Sequence, residues 1–209
     1  MSDDGVDLKK RRFLTATTSA VGLAGMGAAA VALVQYMGKS ERALQVGAPV
    51  EVDISKLLPG QMITEAWRNK PVWIFNRTDE MLEDLKKMDD LLRDPKSEEA
   101  SQQPDYAKNL ARSNPKYHPK IMVVIGLCTH LGCVPGRVSK TDQHELGTEW
   151  LGGFLCACHG SKFDYAGRVY KSVPAPLNLK VPNHYYKGQN DSILVIGLDA
   201  SSAEGGNKQ

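Results

Sequence analysis

The crowding of cysteine and histidine into two short segments constrains this fold more than any other feature. All four cysteines and three of the five histidines lie between Cys128 and His159. The segments are Cys-Thr-His-Leu-Gly-Cys, which begins at Cys128, and Cys-Ala-Cys-His-Gly-Ser, which begins at Cys156. Thiolates and imidazoles are ligands of zinc and of iron–sulfur centres. The two boxes therefore predict loops that converge on one site.

Three interpretations of these six side chains compete. Zinc takes four Cys or His ligands in a tetrahedron, which is fewer than the boxes offer. A pair of plain disulfides in an oxidising compartment would leave the two loop histidines without a role. A [2Fe-2S] cluster with mixed ligands plus one disulfide uses all six.

Both boxes resemble those of Rieske proteins of the cytochrome bc class, the iron–sulfur subunits of bacterial ubiquinol–cytochrome c reductases. Further segments similar to that family are Lys70-Pro71-Val72, Gly152-Gly153 and Val173-Pro174-Ala175-Pro176. With the anchor-like N-terminus described below, the resemblance covers essentially the whole chain. It implies one Rieske-type [2Fe-2S] cluster per chain.

The resemblance implies a ligand set. Cys128 and Cys156 would ligate one iron through sulfur, and His130 and His159 would ligate the other through nitrogen. Replacing two thiolates with neutral imidazoles makes the cluster less negative. Its potential therefore rises to about −150 to +300 mV, which suits a quinol oxidant.

The resemblance also implies roles around the cluster. Cys133 and Cys158 match the family's disulfide pair, and the Ser161 hydroxyl matches the serine that donates to a bridging sulfide. Residues similar to those that cover the cluster are Leu131, Phe163, Pro174 and Pro176.

The N-terminal segment from Phe13 to Met37 contains no charged side chain. As a helix, roughly 25 residues span roughly 37 Å, enough to cross a hydrocarbon core of about 30 Å. Lys9 to Arg12 form a cluster of basic side chains directly before it. Such a cluster should stay in the cytoplasm. A cleaved signal peptide is the alternative, but its apolar part is usually about 7–15 residues. We therefore expect a retained single-pass anchor in a bacterial inner membrane, with a periplasmic C-terminal domain.

The run Lys10-Arg11-Arg12-Phe13-Leu14 resembles a twin-arginine export signal. Export of a folded domain suits a cluster that is assembled in the cytoplasm. Sec-dependent insertion is the alternative.

The exported part predicts a mainly β domain. Alternating or β-branched runs occur at Val50–Ile54, Pro71–Arg77, Ile121–Leu127 and Ile193–Ile196. We expect an antiparallel β-sandwich with a small cluster-binding subdomain. The expected organisation is an N-terminus (1–12), an anchor (13–37), a flexible tether (38–48), a Rieske domain (49–200, cluster-binding part about 127–177) and a tail (201–209).

One helix–loop insertion interrupts the strands. Thr78 can cap a helix whose first turn carries Asp79 and Glu80. Apolar residues at helical spacing extend the pattern until Asp94-Pro95 ends it, namely Met81, Leu82, Leu85, Met88, Leu91 and Leu92. Residues 95–119 are polar and proline-rich, which predicts a long surface loop.

The remaining residues of note have modest roles. The other histidines lack a partnering motif and are expected at the surface or in loops: His118, His144 and His184. The tryptophans are expected in the core or partly buried: Trp67, Trp73 and Trp150. A net charge of +2 without a Lys/Arg stripe excludes an obvious nucleic-acid partner.

The resemblance implies a function in respiration, coupled to proton translocation. An outer imidazole nitrogen, expected on His159, would hydrogen-bond to quinol, expected to be ubiquinol, in a cytochrome b subunit. His130 is the second histidine expected to take part in the reaction. The electron would then pass to a membrane-bound c-type cytochrome, within a dimeric complex in the lipid bilayer. The isolated subunit would be an electron carrier, since the reductase activity belongs to the assembled complex.

Other classes fit less well. The nearest alternative is the Rieske subunit of another exported oxidoreductase, such as arsenite oxidase. A retained anchor and the insertion at 78–119 favour the cytochrome bc class. A Rieske oxygenase would need a further catalytic domain, and a structural zinc module would lack iron.

Phe163 generates a prediction, because many high-potential members of the family carry tyrosine there. The missing hydroxyl removes one hydrogen bond to a ligand sulfur. We expect Phe163→Tyr to raise the midpoint potential of the cluster, measured by redox titration with electron paramagnetic resonance. An unchanged midpoint would show that Phe163 is only apolar cover.

Overall fold

The computed structural model describes residues 7–37 and 47–199, except for the side chains of 143–145. The chain divides into two units, Met1–Gln45 and Val46–Gln209. Residues 38–46 of the predicted tether, the tail at 201–209 and the side chain of His144 lie outside the described residues.

In the described part of the first unit, residues 7–37, a long helix, α1, runs from Leu8 to Tyr36. The Asp7 carboxylate caps it by accepting hydrogen bonds from the Lys9 and Lys10 backbone N–H groups at 3.0 and 3.2 Å. The helix has 29 residues and a window of mean hydropathy 1.6. By length and composition it is able to cross a membrane, as the uncharged segment predicted.

Within residues 47–199, the second unit contains nine strands in three antiparallel sheets, each of three strands. The orders are β1-β9-β8, β2-β3-β4 and β5-β6-β7. The strands are β1 Val50–Asp53, β2 Met62–Trp67, β3 Lys70–Asn76, β4 Ile121–Ile125, β5 Gly136–Val138, β6 Gly153–Cys156, β7 Ser161–Asp164, β8 His184–Lys187 and β9 Ile193–Ile196. The prediction of a mainly antiparallel β domain is confirmed.

The sheet β2-β3-β4 is buried on both faces, which explains the unbroken apolar runs of β3 and β4. Val72 and Ile74 point into one core, which they share with β1 and β9. Trp73 and Phe75 alternate with them and point into a second core, which contains residues of β6 and β7. The ring of Trp73 stacks on Phe154 of β6 at a centroid distance of 4.7 Å. The three predicted core tryptophans are all buried.

The helix of the insertion is shorter than predicted. Helix α2 spans Asp79–Leu85, and the Thr78 hydroxyl caps it by accepting from the Met81 N–H at 3.3 Å. The prediction that the helix continues to Asp94 is wrong. The Leu85 carbonyl accepts a hydrogen bond from the buried guanidinium of Arg168 at 2.8 Å, and a short 3-10 turn follows at Asp89–Leu91. The apolar side chains beyond Leu85 still pack inward, without the helix.

The segment 95–119 is not simply a surface loop, and that expectation is corrected. Arg112 and Ser113 are buried within it. Arg112 donates to the carbonyls of Gln102, Ala166 and Gly167 at 3.2 to 3.3 Å. A guanidinium with five donors can satisfy the carbonyls of an irregular segment in the interior, where water is excluded.

His184 is also a correction, since it is a buried strand residue of β8. Its Nδ1 atom lies 2.8 Å from the Pro182 carbonyl oxygen. Burial lowers the pKa of His184 to about 4, so the imidazole is neutral at physiological pH. His118 lies in a loop as expected, with Nε2 at 2.9 Å from the Asp191 carbonyl oxygen.

A buried ion pair connects the insertion to β7. Arg168 donates through Nε to Asp164 at 2.7 Å, and both side chains are fully buried. The same guanidinium donates to Asp89 at 2.9 Å and to the Pro95 carbonyl at 3.1 Å. Its donors are thus shared between the second box's strand and the insertion.

Asp164→Asn should destabilise the domain by about 3–5 kcal/mol, because it leaves a buried guanidinium without its fully buried counterion. The measurement is guanidinium-induced unfolding of the full-length chain in detergent, followed by the fluorescence of its buried tryptophans.

The matched control is Glu83→Gln, which removes the exposed pair between Glu83 and Lys86. Surface pairs contribute little, so its unfolding midpoint should stay near that of the parent chain. Equal midpoints for Asp164→Asn and the parent would contradict the central role of this pair.

Candidate metal centre

The two boxes fold as the same kind of closed loop. The first follows β4, and the second joins β6 to β7. The Gly132 N–H donates to the Cys128 carbonyl, and the Gly160 N–H donates to the Cys156 carbonyl, each at 2.9 Å. Both glycines have a positive φ, 81° and 76°, which other residues rarely adopt. Each turn therefore needs its glycine. The histidine of the box stands one or two residues before that glycine.

A disulfide between Cys133 and Cys158 joins the two loops. This confirms the pairing that the resemblance implied. The Cys128 N–H also donates to the Cys133 carbonyl at 2.8 Å, so the first loop is fixed next to the bond.

The two remaining thiols are buried and free. Cys128 and Cys156 are 3% and 2% exposed. Burial raises the pKa of the Cys156 thiol, and the neighbouring Cys128 adds to this effect. A thiolate at this position therefore needs the charge of a cation to stabilise it.

The two box histidines lie side by side, with ring centroids 4.8 Å apart and rings nearly perpendicular at 88°. His159 is exposed, while His130 is half-buried. The Nδ1 atom of His130 is buried, and it has no hydrogen-bond partner among the described residues. Buried polar atoms without partners are rare, and a bound iron would satisfy this one. Two thiols and two imidazoles therefore fit a mixed-ligand cluster.

Ser161 is placed to donate a hydrogen bond toward the same region. It is fully buried, and its Oγ atom accepts from the Ala175 N–H at 3.0 Å. That contact uses a lone pair of the oxygen and leaves the hydroxyl proton available to donate. The proton has no acceptor within the described part of the chain. A cluster sulfide is a suitable acceptor.

The four residues expected to cover the cluster differ in exposure. Phe163 is fully buried in β7, whereas Leu131 is 71% exposed at the tip of the first loop. Pro174 and Pro176 are exposed, and Ala175 between them is buried. Their roles as cover stay predictions.

Thr129 is a structural residue of the site that the sequence reasoning missed. Its hydroxyl donates to the Leu177 carbonyl at 2.6 Å and accepts from the Leu177 N–H at 3.4 Å. The first loop is thereby fastened to the segment that carries the two prolines. Thr129 stands between two ligand candidates, but nothing in the sequence identifies Leu177 as its partner.

Thr129→Val should weaken retention of the cluster, because it removes both hydrogen bonds that fasten the first loop, each of which contributes about 0.5–1.5 kcal/mol. The measurement is the temperature at which the visible absorbance of the cluster is lost. Thr129→Ser keeps the hydroxyl and should behave like the parent chain. Equal loss temperatures for the valine and serine variants would contradict this role.

Comparison with known proteins identifies the family. The Rieske [2Fe-2S] domain family matches residues 92–183. The ubiquinol-cytochrome c reductase iron-sulfur subunit of Allochromatium vinosum is 51% identical over 203 residues, covering 97% of this chain and 95% of that one. The subunit of the same name from Bradyrhizobium diazoefficiens is 35% identical over 189 residues, covering 90% of this chain and 94% of that one. A chain of a solved hyperthermophilic respiratory Complex III is a weaker match, with 22% identity and a TM-score of 0.45 over 86% of this chain and 98% of that one. The near-full-length relatives show that this chain belongs to the family of Rieske iron–sulfur subunits of ubiquinol–cytochrome c reductase.

Proposed function

We propose that this chain accepts single electrons from quinol and passes them to a c-type cytochrome, as the iron–sulfur subunit of a quinol–cytochrome c reductase. The observation that carries the proposal is the difference in burial between the two sides of the site. The exposed His159 and the half-buried His130 lie side by side, whereas the thiols of Cys128 and Cys156 are buried.

The ligand set follows from that arrangement. We assign Cys128 and Cys156 to one iron, and His130 and His159 to the other. The orphaned Nδ1 of His130 supports ligation through that atom, which leaves the opposite ring nitrogen for hydrogen bonding. A cluster held in this way supplies a one-electron acceptor with a potential of about −150 to +300 mV.

The side chains around the ligands would perform the remaining work. The outer nitrogen of the exposed His159 would accept a hydrogen bond from the quinol hydroxyl and hold its proton as the electron leaves. The Ser161 hydroxyl would stabilise the more negative, reduced centre by donating a hydrogen bond to it. Leu131 and Val134, 71% and 59% exposed, would dock against an apolar surface at the quinol site. These features favour a cytochrome b subunit as the partner at this tip.

The anchor supports a membrane assembly. Helix α1 is long and apolar enough to span a bilayer, and Lys9 to Arg12 lie in its first turns. We place the N-terminus in the cytoplasm and the Rieske domain, residues 49–200, in the periplasm, because basic flanks stay inside. The tether at 38–48, a membrane-bound c-type cytochrome partner and a dimeric complex in lipid complete the proposed arrangement.

The experiment is affinity purification of the tagged full-length chain from its native membrane in mild detergent. We expect haem b and haem c to co-purify with it, and the preparation to reduce cytochrome c with added quinol. The dithionite-reduced sample should give the electron paramagnetic resonance signal of a Rieske cluster.

Two variants separate the site from general damage. His159→Ala should abolish both the Rieske signal and quinol oxidation, while His118→Ala, which alters a loop histidine outside the boxes, should retain both. Co-purification with a molybdenum subunit in place of the haem proteins would support the arsenite-oxidase type of assembly instead.

A further inference from the structure

The disulfide and one buried thiol form a compact group of three sulfur atoms. The Sγ atoms of Cys133, Cys156 and Cys158 all lie within 4.8 Å of one another. Within the described ranges, no other set of three or more His, Cys, Asp or Glu ligand atoms gathers this closely. The four proposed cluster ligands, in particular, do not form such a set.

The spacing of the three sulfurs can be compared with that of the ligands of a single ion. A single zinc ion binds thiolates at about 2.3 Å, so two sulfurs of its tetrahedron lie roughly 3.8 Å apart. The sulfur trio needs only small movements to reach that separation. The four proposed cluster ligands, by contrast, are not all gathered to within 4.8 Å of one another.

We propose that the reduced chain contains a second, competing metal site, in which Cys133, Cys156 and Cys158 bind one thiophilic divalent cation of the zinc class. The fourth position of the tetrahedron is open to water or to the thiol of Cys128. The disulfide then has a selective role, because it withdraws two of the three ligands from this site.

Formation of this site requires a reductant, water and the cation, and no other group of the protein. A phosphine reductant gives two electrons to the Cys133–Cys158 bond and leaves as phosphine oxide, with its oxygen and the two thiol protons supplied by water. The cation then displaces the three thiol protons and binds the thiolates. The ion has an entry path, because Cys158 is exposed and Cys133 is half-buried.

Cys156 belongs to both sites, which makes them mutually exclusive. This consequence rests on the proposed role of Cys156 as a cluster ligand, whereas binding of the cation does not. A cation held by the trio would occupy a thiolate that the cluster requires. Formation of the disulfide would remove the competitor and leave Cys156 free.

The test uses the full-length chain in detergent, freed of its cluster, with Co²⁺ as the probe. After reduction with a phosphine, the parent chain should bind about one Co²⁺ and show the thiolate-to-cobalt charge-transfer and visible bands of a tetrahedral sulfur site. Added Zn²⁺ should displace the Co²⁺ and remove these bands. The disulfide-bonded chain, which needs no mutation, should show neither band. Reduced parent chain without these bands would overturn the proposal.

Variants decide which ligands hold the ion. Cys133→Ser and Cys158→Ser should each weaken Co²⁺ binding to the reduced chain by at least about tenfold. Loss of a residue that only hydrogen-bonds to a ligand already lowers metal affinity about tenfold or more, and loss of the ligand itself should cost at least as much. His130→Ala should leave the spectrum and affinity unchanged, and tryptophan fluorescence checks the fold of each variant. Loss of the bands in His130→Ala, or their presence in the disulfide-bonded parent, would place the ion in the Cys/His set and overturn the proposal.

A separate measurement addresses the competition. Reduced chain preloaded with Zn²⁺ should take up a [2Fe-2S] cluster at least about tenfold more slowly than disulfide-bonded chain, followed by electron paramagnetic resonance. Equal uptake rates would overturn the competition with the cluster but not the binding of the cation. Failure of the disulfide-bonded chain to acquire a Rieske signal would instead count against the proposed function.

Discussion

A buried guanidinium organises the part of the domain that carries the metal site. Arg168 pairs with the fully buried Asp164 at the end of β7 and also donates to Leu85, Asp89 and Pro95 of the insertion. One charged group therefore ends helix α2, holds the segment after it and fixes the strand behind the second box. Such a pair stabilises the structure only when its donors are fully used, and here they are shared among two carboxylates and two carbonyls.

Two further buried arginines follow the same principle. Arg77 donates to the carbonyls of Ala111, Pro119 and Tyr165, and Arg112 donates to those of Ala166 and Gly167. The irregular insertion is thus attached to the segment 164–168 by side chains that satisfy backbone oxygens. This explains how a long segment with little regular structure remains in the interior, where unsatisfied carbonyls would be costly.

The candidate metal site lies next to this buried hydrogen-bond network and is asymmetric. The thiols of Cys128 and Cys156 are buried, whereas the box histidines are half-buried and exposed. A disulfide, two glycine turns and Thr129 hold the two loops in place. A centre with this polarity is shielded from solvent on its thiolate side. It would offer its imidazole side to a partner, which suits the proposed electron transfer coupled to a proton at His159.

The elements with local signals could be predicted from the order of the residues alone. An uncharged run of sufficient length predicts α1, unbroken apolar runs predict β3 and β4, and two Cys/His boxes with fixed glycines predict the loops and, through the family, the disulfide. Three features became clear only in the folded chain: the end of α2, the burial of parts of 95–119, and the neutral, buried state of His184. Each of these depends on a partner far away in the chain: Arg168 for Leu85, Ala166 for Arg112, and the surrounding core for His184. Hydrogen bonds and burial between distant residues leave no periodic pattern in the sequence, so they emerge only when the chain is folded.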